Sequence, residues 1–153
     1  VFYLIRILIG ENLINVIYDK GVSFFFIAFS ISIFCGLAFI KRLNNLKKNI
    51  ENNINQEYIY SEPHIMTLKS FSLFFGISSI IIFFIYSLGP AQENYLHPEF
   101  LLLALIFLSI FYWRLYFFAS KGSMNYDPIV FSFSNPEPVV LMIITSLIFY
   151  YSY

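Results

Sequence analysis

The sequence predicts an all-α, polytopic transmembrane helix bundle of about five membrane helices, and three observations predict it. The first is composition. The 153 residues are 59% hydrophobic and 22% aromatic, with only 12% charged, and the mean hydropathy is +0.73. A soluble domain of this length cannot bury so much apolar surface, because small domains keep a large surface-to-volume ratio. The second is pattern. The apolar residues form continuous runs rather than alternating ones, which selects helices over a β-barrel. The third is charge placement. Basic residues gather in two of the connecting segments, as expected for a chain oriented by positive charge.

The elements follow in order. Segment 1–18 (VFYLIRILIGENLINVIY) is the most polar; segments 21–40, 65–88 and 98–120 are almost wholly apolar; segment 138–153 closes the chain. A helix needs about 20 apolar residues to cross a bilayer, which the middle three supply. Segment 1–18 is not a secretory signal: it lacks a basic start, Arg6 and Glu11 interrupt it, and no small-residue cleavage site follows. Asp19-Lys20-Gly21 reads as a tight turn that makes the first two helices an antiparallel hairpin. Residues 41–64 and 121–137 are polar links, the latter broken by Gly122, Pro128 and Pro136. Gly89 to His97 is a short loop.

Charge sets the orientation. Lys41, Arg42, Lys47 and Lys48 lie in the first link and Lys121 in the second, with Arg114 just before it. Two helices separate these links, so both belong on one side, the cytosolic one. The chain reads as an integral, multi-pass membrane protein, with a bacterial inner membrane as the expected setting. Net charge is zero, so no nucleic-acid partner is indicated. Cys35 is the only cysteine, which leaves no intrachain disulfide and no zinc ligand set.

Arg6, Lys41, Arg42, Lys69, Arg114 and Lys121 all fall at the cytosolic side or in the adjoining half of the membrane. Two readings fit them. They snorkel to head groups and anchor the helices, or several converge on one polyanion. In the first link Leu43, Leu46, Ile50 and Ile54 make a one-face helical stripe. It reads as an amphipathic helix on the membrane surface or capping a cavity mouth. Asp127-Pro128 fits an ordinary turn or a functional carboxylate. Tyr112, Trp113 and Tyr116 read as aromatic-belt residues. Gly76, Ser72, Ser78 and Ser79 read as small residues that let helices approach.

The order of these elements resembles the second half of UbiA-superfamily membrane prenyltransferases, and within them the decaprenyl-phosphate phosphoribosyltransferase (phosphoribose synthase) branch. Arg6 and Gly10 match an Arg-x-x-x-Gly element, Lys41 and Arg42 a helix-ending Lys-Arg, and Tyr60-Ser61 part of a Gly-Tyr-Ser element. Lys121, Gly122, Asp127 and Pro128 match a Lys/Arg-Gly-x-x-x-x-Asp-Pro loop. Asn45, Ile59 and Asn135 stand where the pattern carries Glu, Gly and Asp. The family's Asn-Asp-x-x-Asp-x-x-x-Asp motif has no counterpart here.

The resemblance implies half of a nine-helix fold, with the N-terminal half of the same protein as partner. It implies a polyprenyl lipid, a diphosphate donor and Mg²⁺. The prenyl or phosphoribosyl group would pass to a lipid or aromatic acceptor. Lys41, Arg42, Lys121 and Arg6 would neutralise phosphates, Tyr60 and Ser61 would hydrogen-bond a phosphate or ribose hydroxyl, and Asp127 would hold the metal or orient Lys121. The alternatives are a non-catalytic membrane subunit or degenerate paralogue, and half of an anion transporter, for which paired Gly/Pro interruptions inside helices are not evident.

Overall fold

The computed structural model describes residues 5, 6, 9, 10, 23–51, 62–125 and 127–152. Among these the chain is all helical: α1 (Phe24–Glu51), α2 (Glu62–Leu88), a 3₁₀ turn (Pro90–Glu93), α3 (Glu99–Ser120), α4 (Pro128–Ser134) and α5 (Pro136–Ser152). Residues 5, 6, 9 and 10 are helical. The expected hairpin turn at 19–21 lies outside the described residues, as does most of segment 1–18.

Ring contacts fix the packing. Phe25 meets Tyr86, Phe29 meets Phe83, and Phe39 stacks on Phe71 and Phe75, so α1 and α2 run antiparallel. α3 returns beside both: Leu101 packs with Phe83, and Tyr112 with Ile40. α5 runs antiparallel to α3, held by the Arg114–Glu137 ion pair at one end and by His97 N–H donating to the Ser152 carbonyl, 3.1 Å, at the other. Among the described residues three helices are long and apolar enough to cross a membrane, or four if the bent pair α4–α5 is one span. Much of the outer surface is apolar: Phe74, Ile77, Ile81, Ile106 and Ile143 are all exposed. Such a belt is costly in water and ordinary in lipid, as in a multi-pass membrane protein.

At the centre, Tyr112 wedges between α1 and α2. It is 4% exposed. A Cβ added to Gly36 would overlap its hydroxyl, and one added to Gly76 would overlap its ring. Glycine at these two positions lets three helices close around one tyrosine. The hydroxyl donates to the Ser72 carbonyl at 2.6 Å, which satisfies the group in an apolar setting. Ser72 and Ser79 are buried beside Gly76, as expected of packing residues. Of the three aromatics read as a belt, Trp113 is exposed but Tyr112 is core. Sequence position near a helix end does not reveal which face the neighbours cover.

Two further differences matter for the site. α1 does not stop at residue 40; it continues to Glu51. Leu43 and Leu46 of the stripe are buried, Ile50 is exposed, and Ile54 lies outside the described residues. The first part of the amphipathic stripe is therefore a continuation of α1 that the rest of the bundle covers. The link 121–137 also contains a helix, α4. Asp127 is its N-cap, accepting from Ile129 N–H at 3.3 Å, and Pro128 opens its first turn.

Candidate functional site

The end of the bundle at which α1 and α3 finish is its basic end, and both basic links meet there. The turn after α3 is made possible by Gly122, whose φ of +71° is left-handed. A Cβ there would stand 3.0 Å from the Lys47 Cβ, so the backbone of this loop lies directly against α1.

Asn44 pins the loop. Its amide Nδ2 donates to the Met124 carbonyl at 2.9 Å, and its Oδ1 accepts the Met124 N–H at 3.1 Å. Both residues are buried, so the two bonds satisfy groups that would otherwise be costly. Further out, Lys48 Nζ donates to Asn125 Oδ1 at 3.2 Å. Beneath the loop, Ile40, Leu115, Ala119, Met124 and Phe131 form one apolar cluster with Tyr112.

Lys41 pairs with Asp127 at the edge of this arrangement. Its side chain is 53% exposed and that of Asp127 is 33% exposed. A pair so open to solvent contributes at most about 1 kcal/mol. Lys121 lies over the Phe117 ring, 4.1 Å from its centroid, a contact of about 0.5–1 kcal/mol at an exposed site. A multiply charged anion competes readily with interactions of this size.

The residues singled out in the sequence divide accordingly. Lys41 and Asp127 are in contact, Arg42 is exposed next to Lys41 on α1, and Lys121 opens the docked loop. Arg6 is exposed and, among the described residues, makes no hydrogen bond or ion pair. Tyr60 and Ser61 lie outside the described residues. Asn44 and Asn125 carry no role in the sequence reading, and Lys48 enters it only as a charge that sets the orientation. The signal for Asn44 was present: it lies one turn after Ile40 and beside Leu43 on the stripe, where an apolar residue is expected.

Asp127 has both oxygens engaged, Oδ2 by Lys41 and Oδ1 by the Ile129 N–H. No group of three or more His, Cys, Asp or Glu gathers among the described residues. Asn135, where the resembled pattern has Asp, turns its side chain back to the Phe131 carbonyl at 2.9 Å.

An apolar cleft of about 360 Å³ opens at the opposite end, lined by Phe25, Phe29, Phe83, Tyr86, Tyr95 and Phe149 among others. It contains none of the cations above.

A scan against protein-family models gives no matching family. Searches of curated proteins and of solved structures give no match either.

Proposed function

We propose that the chain is the C-terminal half of a membrane-embedded transferase of the UbiA type, which handles a diphosphate donor at its basic, cytosolic end. The group moved is a prenyl or phosphoribosyl unit and the acceptor is a lipid or an aromatic ring. One observation carries the reading. Lys41, which the resemblance assigns to phosphate, and Asp127, which it assigns to the metal or to orienting Lys121, lie 86 positions apart and meet at one end of the bundle.

On this reading Lys41, Arg42 and Lys121 neutralise the phosphates from the rim, with Arg6 joining from the first helix. Departure of diphosphate leaves negative charge on oxygen, and fixed cations stabilise that charge. The Asn44-pinned loop holds Asp127 beside Lys41, so that the lysine is aimed before the donor arrives. The apolar surfaces of the bundle face the polyprenyl chain or the surrounding lipid.

A second reading is a non-catalytic subunit or a degenerate paralogue. It is favoured by Asn135, which caps α4 and bonds the Phe131 carbonyl where the resembled pattern carries a carboxylate.

The test is a transfer assay on membranes carrying the chain in its complete reading frame. Two donor and acceptor pairs are supplied: labelled phosphoribosyl diphosphate with polyprenyl phosphate, and labelled prenyl diphosphate with an aromatic acid. Chain-dependent labelling of either acceptor supports the transferase. Labelling of neither, with the protein inserted and folded, rejects it in favour of the second reading.

A further inference from the structure

We infer that α4 is an interfacial helix that lies in the plane of the membrane surface and seats the basic end against lipid head groups. This inference is independent of any transferase activity.

The argument begins with depth. α5 is 17 residues long, about 25 Å at 1.5 Å per residue, close to the thickness of the hydrocarbon core. At that length α5 sits at the lower limit for a helix that crosses without α4. The other helices give the same span. Lys41 follows Phe24 by 17 positions and Arg114 follows Glu99 by 15, so each charge stands about 22–26 Å from its helix start.

Ion pairs then bracket α4 on both sides. Asp127, its N-cap, pairs with Lys41, and Glu137, three residues past Ser134, pairs with Arg114. All four side chains are partly or largely exposed. Exposed charges are stable where water and phosphates reach them and costly in hydrocarbon. A seven-residue helix with such a pair at each end lies at the depth of both. The break at Asn135 supplies the geometry, because α4 and α5 meet at 90°.

The side chains of α4 fit that position. Phe131 faces inward onto Phe118, with ring centroids 5.2 Å apart, and Ser132 is buried. Val130 and Phe133, three apart and so on one face, are exposed, Phe133 at 66%. Trp113, exposed at 59%, stands one residue from Arg114 at a similar level. Exposed aromatic and aliphatic side chains beside Lys and Arg are the pattern of a segment at the boundary between head groups and acyl chains. The occupant of this face is therefore phospholipid.

The test is depth measurement on the whole chain in vesicles of phosphatidylcholine and phosphatidylglycerol. In a Cys35→Ser background, single cysteines at Phe133, Val130, Ile143 and Gln92 are spin-labelled. Collision with oxygen is compared with collision with a water-soluble nickel chelate. Ile143, exposed near the middle of α5, marks the bilayer interior, and Gln92, exposed on the 3₁₀ turn, marks water. The expected result places Phe133→Cys and Val130→Cys between these markers, at head-group depth. Accessibility equal to Gln92 makes α4 a water-facing cap, and depth equal to Ile143 makes it a re-entrant half-span; either overturns the inference. Both labelled positions are exposed, so if one variant fails to insert the other still decides.

Discussion

Asn44 and Met124 hold each other by two hydrogen bonds, side-chain amide to backbone amide, across 80 positions of sequence. The contact joins the extension of α1 to the loop that leads into α4. It helps to set where Asp127 stands, three residues further on.

Asn44→Leu is therefore expected to destabilise the protein. The substitution keeps volume but strands a buried N–H and a buried C=O on Met124, each costing about 1–3 kcal/mol. Denaturant titration in detergent measures this. A midpoint equal to wild type would mean that the loop is not held by Asn44.

The Tyr112 wedge makes a prediction about pairs. Gly36→Ala collides with the tyrosine hydroxyl, and Gly76→Ala collides with the ring itself. Each alone is expected to cost about 1–3 kcal/mol, as overpacking does. Tyr112→Phe removes the hydroxyl and its bond to Ser72 at a cost of about 0.6 kcal/mol, the average for such bonds between membrane helices. In combination it should relieve most of the Gly36→Ala defect and none of the Gly76→Ala defect. Equal relief of both would place the tyrosine elsewhere.

Asp127 has two roles that substitution separates. Asp127→Asn breaks the ion pair with Lys41 but leaves a good N-cap, so stability should fall by no more than about 1 kcal/mol. Asp127→Ala loses both contacts and should cost about 0.5–2 kcal/mol more. Thermal unfolding of the two variants in the same detergent compares them directly. Equal losses would show that capping of α4 contributes nothing.

How much of this was readable in the sequence varies by element. Segments 65–88 and 98–120 correspond closely to α2 and α3, because their ends coincide with a loss of apolar residues and with Gly or Pro. The end of α1 was misplaced for a physical reason. Lys41 and Arg42 mark where a helix leaves hydrocarbon, which is not where its hydrogen bonding ends. No Gly or Pro follows until residue 63. In the sequence Pro128 and Pro136 read as breakers within a loop, yet each opens a helix, where a missing N–H costs nothing. The cations of the site were legible one by one. That Asp127 lies against Lys41 was not, since the contact depends on the turn at Gly122 and on how α3 packs beside α1.

The measurement that tests the central claim most directly is turnover of the Arg42→Ala and Lys41→Ala variants in the complete reading frame. Membrane insertion is scored in parallel by protease protection of the loops. If the basic end receives the phosphates of a donor, both variants insert normally and Arg42→Ala abolishes transfer. Wild-type turnover in Arg42→Ala would contradict the claim and leave Lys41 and Arg42 as anchors of a helix end.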